Sequence, residues 1–199
     1  MYAARCGNEA VGISFDDRNN LIATERSRLL GLTNIRFITA DLRKLDEISE
    51  NLGKFDQIIC TEVIEHILND RKLLADLSSL LKSGGRLILT TPFKHGRPIH
   101  GDRISDTEDG GHVRAGYTHE EIRDMFAQAG LEVAGEACMC GVITQSLMEV
   151  MRRLEPIGRT FAWAATFPLR IFQAVDVPVT RAARSPFYII GVVGIKRHV

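Results

Sequence analysis

The stretch "VGISFDDRNNLIATERSRLLGLTNIRFITADLRKL" (11–45) holds two short apolar runs separated by a polar segment of helical length. Residues 10–14 and 35–41 are predicted to be strands, because both runs are short, apolar and rich in β-branched residues. Asp17 is expected to cap a helix that continues to about Leu30 and ends at Gly31. The stretch therefore predicts a strand–helix–strand unit with both strands in one sheet.

The same alternation continues along the rest of the chain. Strands are predicted at 55–61, 86–92, 131–139 and 187–197, and helices at 70–82 and 117–130. The first of these helices is expected to end before Gly84-Gly85, and the second begins with a capping box of Thr118 and Glu121. The predicted fold class is therefore α/β, a doubly wound, mostly parallel sheet with helices on both faces.

Length and charge limit the class of function. The 199 residues are enough for one domain, 1–199, with a substantial core. Lys plus Arg equals Asp plus Glu at 25 each, so the formal net charge is zero. Broad nucleic-acid binding is not expected, because it needs an excess of basic side chains to neutralise phosphates.

The cysteines and the apolar segments indicate a cytoplasmic location. Cys138-Met-Cys140 has the wrong spacing for a zinc or redox pair, and all four cysteines are read as reduced packing residues. No basic region leads into an apolar core near Met1, so no signal peptide is expected. The uncharged run at 160–169 is about half as long as a membrane-spanning helix.

Polar residues that follow strands are the first candidates for a binding site, because ligands of open α/β sheets bind at the carboxyl ends of the strands. Glu62, Glu65 and His66 follow the strand at 55–61 with spacing i, i+3 and i+4, which places them on one face of a helical turn. Three interpretations remain open for them. They form hydrogen bonds that fix the loop, His66 acts as a general base, or the group binds a divalent ion.

Four segments in this order resemble class I S-adenosylmethionine-dependent methyltransferases, particularly small-molecule enzymes of the ubiquinone-pathway O-methyltransferase type. They are the stretch at 11–45, "FDQIICTEVIEHI" (55–67), "LLKSGGRLILTTPF" (80–93) and "GHVRAGYTHEEIRDMFAQAGLEV" (111–133). The resemblance covers residues 3–140 and returns in the last strand. It implies a Rossmann-like sheet with an antiparallel last strand, and methyl transfer from S-adenosylmethionine, leaving S-adenosylhomocysteine.

The resemblance also implies cofactor contacts for particular residues. Asp41 would accept a hydrogen bond from the adenine amino group, and the Leu42 backbone N–H would meet a ring nitrogen. The family usually has an acidic residue on the ribose where this chain has Ser14, so Asp16 is the expected substitute. The full set of residues predicted to contact the cofactor is Ser14, Phe15, Asp16, Asp41, Leu42, Cys60, Thr61 and Glu62.

The acceptor is expected to lie against a polar loop, residues 93–116, where the family binds its substrate. His112 is the preferred contact in this loop, and solvent-exposed positions are expected for His95 and His100. His66 and His112 are predicted as the catalytic residues, and no residue is assigned as a metal ligand. A small-molecule acceptor is the expected partner.

The family's glycine-rich loop, D-x-G-x-G-x-G, has no match in the chain. The sequence is expected to lack about 40–60 residues before Met1, which is the length of a βα unit. The alternatives are a natural truncation that pairs the strands at 10–14 and 55–61, or a partner subunit that supplies the missing unit. A catalytically inactive binding subunit is the corresponding alternative function.

Residues 143–183 form a predicted helical insertion before the last strand. Apolar residues such as Trp163, Phe167 and Phe172 alternate there with arginines. An acceptor lid or a homodimer contact is expected. The alternative is a peripheral membrane surface or a contact with a lipid-linked acceptor, although Pro168 and Pro178 interrupt a long amphipathic helix.

Overall fold

The computed structural model describes residues 1–96 and 104–197. The chain divides into two compact units, Met1–Gly53 and Lys54–Val199. We call them the N-terminal unit and the C-terminal unit. The part of the predicted acceptor loop that contains His100 lies outside the described residues.

The N-terminal unit contains one parallel pair of strands. Its elements in chain order are α1 (Tyr2–Arg5), β1 (Ala10–Ser14), α2 (Asp17–Leu29), β2 (Ile35–Thr39), a 3₁₀ turn (Leu42–Lys44) and α3 (Leu45–Leu52). Ser14 pairs with Thr39, so the carboxyl ends of β1 and β2 lie side by side. The predicted strand–helix–strand unit is confirmed, with the second strand ending two residues earlier than expected.

The C-terminal unit is built on a four-stranded mixed sheet of order β3-β4-β6-β5. Its elements are β3 (Phe55–Thr61), a 3₁₀ turn (Ile64–His66), α4 (Asp70–Ser79), β4 (Leu81–Pro92), α5 (His119–Gln128), β5 (Leu131–Met139), α6 (Val142–Leu154), α7 (Arg159–Thr166), a 3₁₀ helix (Phe167–Val175), α8 (Asp176–Ala182) and β6 (Ile189–Lys196). β3 is parallel to β4, and β6 is antiparallel to both of its neighbours. The predicted antiparallel last strand is confirmed.

The core of the C-terminal unit lies where α5 covers the sheet. Phe126 and Ile122 on α5 are fully buried, as are Leu87 and Leu89 on β4 and Leu131 on β5. A Cβ atom at Gly194 of β6 would come within 2.6 Å of the Phe126 ring, so this strand position has room only for glycine. Ile122 and Phe126 are four residues apart, so α5 buries a single face against the sheet.

The predicted end of one helix and the predicted cap of another are wrong. The helix at 70–82 ends at Ser79, and Leu81 already belongs to β4, because the Phe55 N–H donates to the Leu80 carbonyl at 2.8 Å and Phe55 pairs with Leu81. Asp16, rather than Asp17, caps α2 by accepting a hydrogen bond from the Arg18 N–H. Asp17 instead accepts a hydrogen bond from the Thr39 hydroxyl.

Candidate functional site

The ends of β1 and β2 bring several predicted cofactor residues of the N-terminal unit to one edge. The Ser14 hydroxyl accepts a hydrogen bond from the Asp16 N–H at 3.2 Å, and the Asp16 carboxylate forms an ion pair with Arg18 at 2.9 Å. The same guanidinium holds the pKa of Asp16 below its usual range. Ser14 and Asp16 are thus neighbours at the end of β1.

Asp41 lies at the end of β2 and begins the following 3₁₀ turn. Its carboxylate accepts the Arg43 N–H at 3.0 Å and pairs with the Arg43 side chain at 2.6 Å, which lowers the pKa of Asp41. The Arg43 guanidinium lies 6.0 Å from the centre of the Phe15 ring, and Phe15 is 73% exposed. Arg43 therefore contacts residues at the ends of both strands. These are the half-buried Asp41 carboxylate and the exposed Phe15 ring.

The end of β3 in the C-terminal unit carries three predicted cofactor residues, Cys60, Thr61 and Glu62. Burial raises the pKa of Cys60 to about 12, so this side chain is a neutral thiol. Glu62 has a φ of +51°, a conformation that costs energy for a residue with a side chain. Its N–H donates to the Thr90 carbonyl and its carboxylate accepts from the Thr90 hydroxyl, both at 3.0 Å. Glu62 is thereby held across the ends of β3 and β4.

Glu65 is a fully buried carboxylate in the 3₁₀ turn after β3. Its Oε2 accepts a hydrogen bond from the Thr91 hydroxyl at 3.3 Å, whereas Oε1 has no hydrogen-bond partner among the described residues. Burial raises the pKa of Glu65 to about 7, and the nearby Glu62 carboxylate adds to the rise. A buried carboxylate with an unsatisfied oxygen is costly and calls for a compensating charge or proton.

His66 and His112 lie against each other beside Glu65. Their ring centres are 4.6 Å apart in an edge-to-face arrangement, and His66 Nε2 is 3.9 Å from Glu65 Oε1. One ligand atom from each of the three residues lies within 4.8 Å of the others. We call Glu65, His66 and His112 the polar cluster.

The segment 104–116 is tied to the turn that carries Glu65 and His66. The Val113 N–H donates to the Glu65 carbonyl at 2.9 Å, and the Arg114 Nε lies 2.9 Å from the Asp70 carboxylate. Gly116 has a φ of +133°, and a Cβ there would lie 2.2 Å from the Pro92 carbonyl oxygen. Only glycine fits this close approach, which fixes where the segment rejoins the sheet.

The structure separates Glu62 from Glu65 and His66, which the sequence had placed on one face. Glu62, Glu65 and His66 were expected on one face, but Glu62 is bonded to Thr90, while Glu65 and His66 face His112. The proximity of His112 had no signal in the sequence. Glu65 was a candidate within that group of three, but it was assigned neither a catalytic nor a cofactor-binding role.

The insertion begins at the same edge of the sheet as the polar cluster. β5 runs in the same direction as β3 and β4, so its end at Met139 lies at their carboxyl-end edge, and α6 starts three residues later. A cleft of about 590 Å³ lies in the insertion, lined in part by Met148, Met151 and Trp163. Among the described residues, no helix is both long enough and apolar enough to cross a lipid bilayer.

The two sheets and the residues at their strand ends define an α/β protein of the Rossmann-like class. Residues 1–135 match the family described as a methyltransferase domain. The chain belongs to this methyltransferase family, which confirms the resemblance found in the sequence.

Individual relatives share part of the chain. An uncharacterized methyltransferase of Schizosaccharomyces pombe is 28% identical over 139 residues, which are 65% of this chain and 49% of that protein. A ubiquinone biosynthesis O-methyltransferase of Xanthomonas axonopodis pv. citri is 39% identical over 46 residues, 23% of this chain and 19% of that protein. The chain thus spans about half the length of the yeast relative.

A solved structure supports the fold independently of sequence. The phosphoethanolamine N-methyltransferase 2 of Haemonchus contortus, in complex with S-adenosyl-L-methionine, has a TM-score of 0.63 and 17% sequence identity. The match covers 98% of this chain and 45% of that chain. At this identity the likeness shows a shared fold.

Proposed function

We propose that the chain takes part in S-adenosylmethionine-dependent methyl transfer to a small-molecule acceptor. Family membership makes methyl transfer the expected chemistry. The observation that carries the proposal is the group of polar residues where β1 and β2 end, Ser14, Asp16 and Asp41. Ligand binding at the carboxyl ends of strands is the rule for such sheets.

The residues at the ends of β1 and β2 would bind the adenosine part of the cofactor. Asp41 would accept the adenine amino group and the Leu42 N–H would donate to a ring nitrogen, while Ser14 and Asp16 would bind the ribose. A carboxylate offers about four lone-pair positions, so the Arg43 and Arg18 ion pairs leave acceptor capacity on both aspartates. The exposed Phe15 ring supplies an apolar surface beside them.

The residues after β3 would bind the methionine part and the acceptor. Cys60, Thr61 and Glu62 would line the methionine end, largely through backbone atoms. His66 and His112 would contact the acceptor. S-adenosylmethionine would supply its methyl group to the acceptor atom and leave as S-adenosylhomocysteine, and the acceptor's proton would be released to solvent at the polar cluster.

An oxygen acceptor is favoured over a nitrogen or carbon acceptor. The Xanthomonas relative is an O-methyltransferase, and its identity to this chain is 39% where they align. The insertion would act as a lid whose cleft takes an apolar part of the acceptor. A homodimer contact and a contact with a lipid-linked acceptor at a membrane surface are the alternatives for the exposed Phe167, Ile171 and Phe172.

The proposed compartment is the cytoplasm. All four cysteines are free thiols, Cys60 is buried, and Cys138 and Cys140 are half-buried. Unpaired cysteines are typical of reducing compartments.

Calorimetry with S-adenosylhomocysteine on the full chain tests the cofactor site. Asp41→Ala is expected to weaken binding about 10- to 100-fold, the value of a hydrogen bond to a charged group. Asp41→Asn retains an acceptor oxygen and should recover most of the affinity. Asp56→Ala is the matched control, because Asp56, like Asp41, is a carboxylate in an ion pair, in its case with Lys82.

Two results of this calorimetry would contradict the proposals. Equal losses for Asp41→Ala and Asp56→Ala would contradict the assigned site. A folded wild-type chain that binds no S-adenosylhomocysteine would contradict the proposed function and favour a binding subunit without catalytic activity.

A further inference from the structure

The cleft in the insertion lies between two helices and has mostly apolar walls. Met148 and Met151 line it from α6, and Ala162 and Trp163 line it from α7. Its volume of about 590 Å³ falls within the range of small-molecule pockets, about 300–1,000 Å³. Methionine side chains are unbranched and polarizable, so they adapt to apolar groups of varied shape. The walls of the cleft therefore suit a flexible apolar chain.

Arg170 brings a positive charge to these walls. It lies in the 3₁₀ helix that follows α7, and its Nη2 is 3.5 Å from the Met151 Sδ. Its guanidinium carbon lies 5.7 Å from the centre of the Trp163 ring. The guanidinium thus contacts one residue of the cleft on α6 and another on α7.

Arg170 is half-buried, and no acidic side chain among the described residues forms an ion pair with it. The two arginines that line the cleft differ in this respect, because Arg152 pairs with Glu149 at 2.6 Å and Arg159 pairs with Glu155 at 3.7 Å. The insertion as a whole carries five arginines against three acidic residues. The charge that is available to a ligand at the cleft is therefore positive.

We propose that this cleft binds a small amphiphile with an apolar chain and one anionic group, a carboxylate or a phosphate. The chain would lie between α6 and α7. The anionic group would pair with Arg170, whose planar guanidinium can donate to two oxygens at once. A neutral ligand would cover the guanidinium without compensating its charge, which is costly.

The inference narrows the class of acceptor, and in this respect it rests on the proposed function, which assigns the cleft to an apolar part of the acceptor. The insertion begins at the edge of the sheet that carries the polar cluster, which is the reason for that assignment. The acceptor would then carry an anionic group in addition to its apolar chain. The ligand chemistry of the cleft itself follows from Arg170 and the apolar walls alone.

The fluorescence of Trp163 measures binding directly, because Trp163 is the single tryptophan of the chain and lines the cleft. The full chain is titrated with decanoate, with decanol as a neutral probe of equal chain length, and with acetate as an anion without a chain. All three are kept below the concentration at which micelles form. Decanoate is expected to change the fluorescence saturably and to bind about tenfold or more tightly than decanol, while acetate should have no effect.

Arg170→Ala is expected to weaken decanoate binding about tenfold or more and to leave decanol binding unchanged. Retained decanol binding shows that the cleft of the variant is folded, and Arg170→Lys, which keeps the charge, should recover part of the affinity. Arg153→Ala is the matched control and should bind decanoate like the wild type. Arg153 belongs to the same insertion, but it is 74% exposed, pairs with Glu149 and lies outside the residues that line the cleft.

Three results would overturn the proposal. They are a fluorescence that does not respond saturably to decanoate, equal affinities for decanoate and decanol, and equal losses in Arg170→Ala and Arg153→Ala. Calorimetry with S-adenosylhomocysteine on the same chain reports separately on the proposed function. Decanoate binding without S-adenosylhomocysteine binding would keep the cleft site and contradict the proposed function, whereas the reverse result would overturn the cleft site alone.

Discussion

Tyr117 shows how one side chain holds the candidate acceptor segment against the sheet. Its ring is 4% exposed, and its hydroxyl donates to the Asp70 carboxylate at 2.8 Å. Asp70 is also paired with Arg114, so a single carboxylate binds both ends of the Arg114–Tyr117 segment. The conformation of the residues next to His112 therefore depends on buried polar contacts.

Tyr117→Phe is expected to lower the free energy of unfolding by about 1–2 kcal/mol, because it leaves the Asp70 carboxylate short of one buried donor. Urea denaturation measures the change. Tyr2→Phe is the control and should have no effect, since Tyr2 is 84% exposed. A Tyr117→Phe variant as stable as the wild type would show that the hydroxyl contributes nothing to holding the segment.

For individual residues, the sequence predicted which ones are candidates for the site better than it predicted which residues they contact. The candidates His66 and His112 were each visible from their positions after a strand and in a polar loop. Their contact was not predictable, because it is produced by bonds such as Val113 to Glu65 between segments far apart in the chain. Local spacing likewise could not show that Glu62 turns to Thr90, which depends on its positive φ.

Among the elements, α8 and α6 are joined by one buried carboxylate. Asp176 on α8 is 4% exposed and accepts the N–H groups of Gly141 and Ile143, both at 2.8 Å, and the Thr144 hydroxyl. These N–H groups are the ones that the start of α6 leaves without a partner in the helix. Asp176 therefore caps α6 from a different element and ties the insertion together.

Asp176→Asn is expected to destabilise the chain by about 2–4 kcal/mol at neutral pH, because an amide cannot accept from all of these donors. Urea denaturation gives the magnitude, and proteolysis should first cut within 142–183. Asp124→Asn, an exposed site on α5, serves as the control. A loss of stability no larger than that of the control would contradict the capping role.

The pH dependence of this effect follows from the pKa of Asp176. Burial alone would raise the pKa, but the hydrogen bonds from Thr144, Ile143 and Gly141 outweigh it and hold the pKa below its usual range. The stabilisation is therefore complete above the ordinary aspartate pKa of about 3.9 and is lost as the pH falls through the lower folded value. The difference between wild type and Asp176→Asn should shrink in acid.

Secondary structure was predictable where strands are apolar and bounded by turn residues. β3 at Phe55–Thr61 and β5 at Leu131–Met139 have the predicted bounds. The helix at 70–82 was predicted too long because Leu80 and Leu81 suit a buried helix face and a buried strand equally. The helix α3 was missed, although Leu45, Ile48 and Leu52 repeat at helical spacing.

On the scale of the whole molecule, the two units differ in how much apolar surface they bury. In the N-terminal unit the buried apolar residues are Ala4, Leu45 and Leu52, whereas Leu21 and Leu29 on α2 are each 70% exposed. The C-terminal unit contains most of the core and also the polar cluster. An isolated pair of strands is marginal by itself, so ligand binding at β1 and β2 should stabilise the N-terminal unit.

A titration of the ¹⁵N-labelled chain with S-adenosylhomocysteine, followed by amide chemical shifts, tests whether the strand ends bind the cofactor. The shifts are expected to cluster in residues 14–16, 41–42 and 60–62, with smaller changes elsewhere. Shifts confined to the insertion at 142–183, or no shifts at millimolar ligand, would contradict the assignment of these strand ends as the cofactor site.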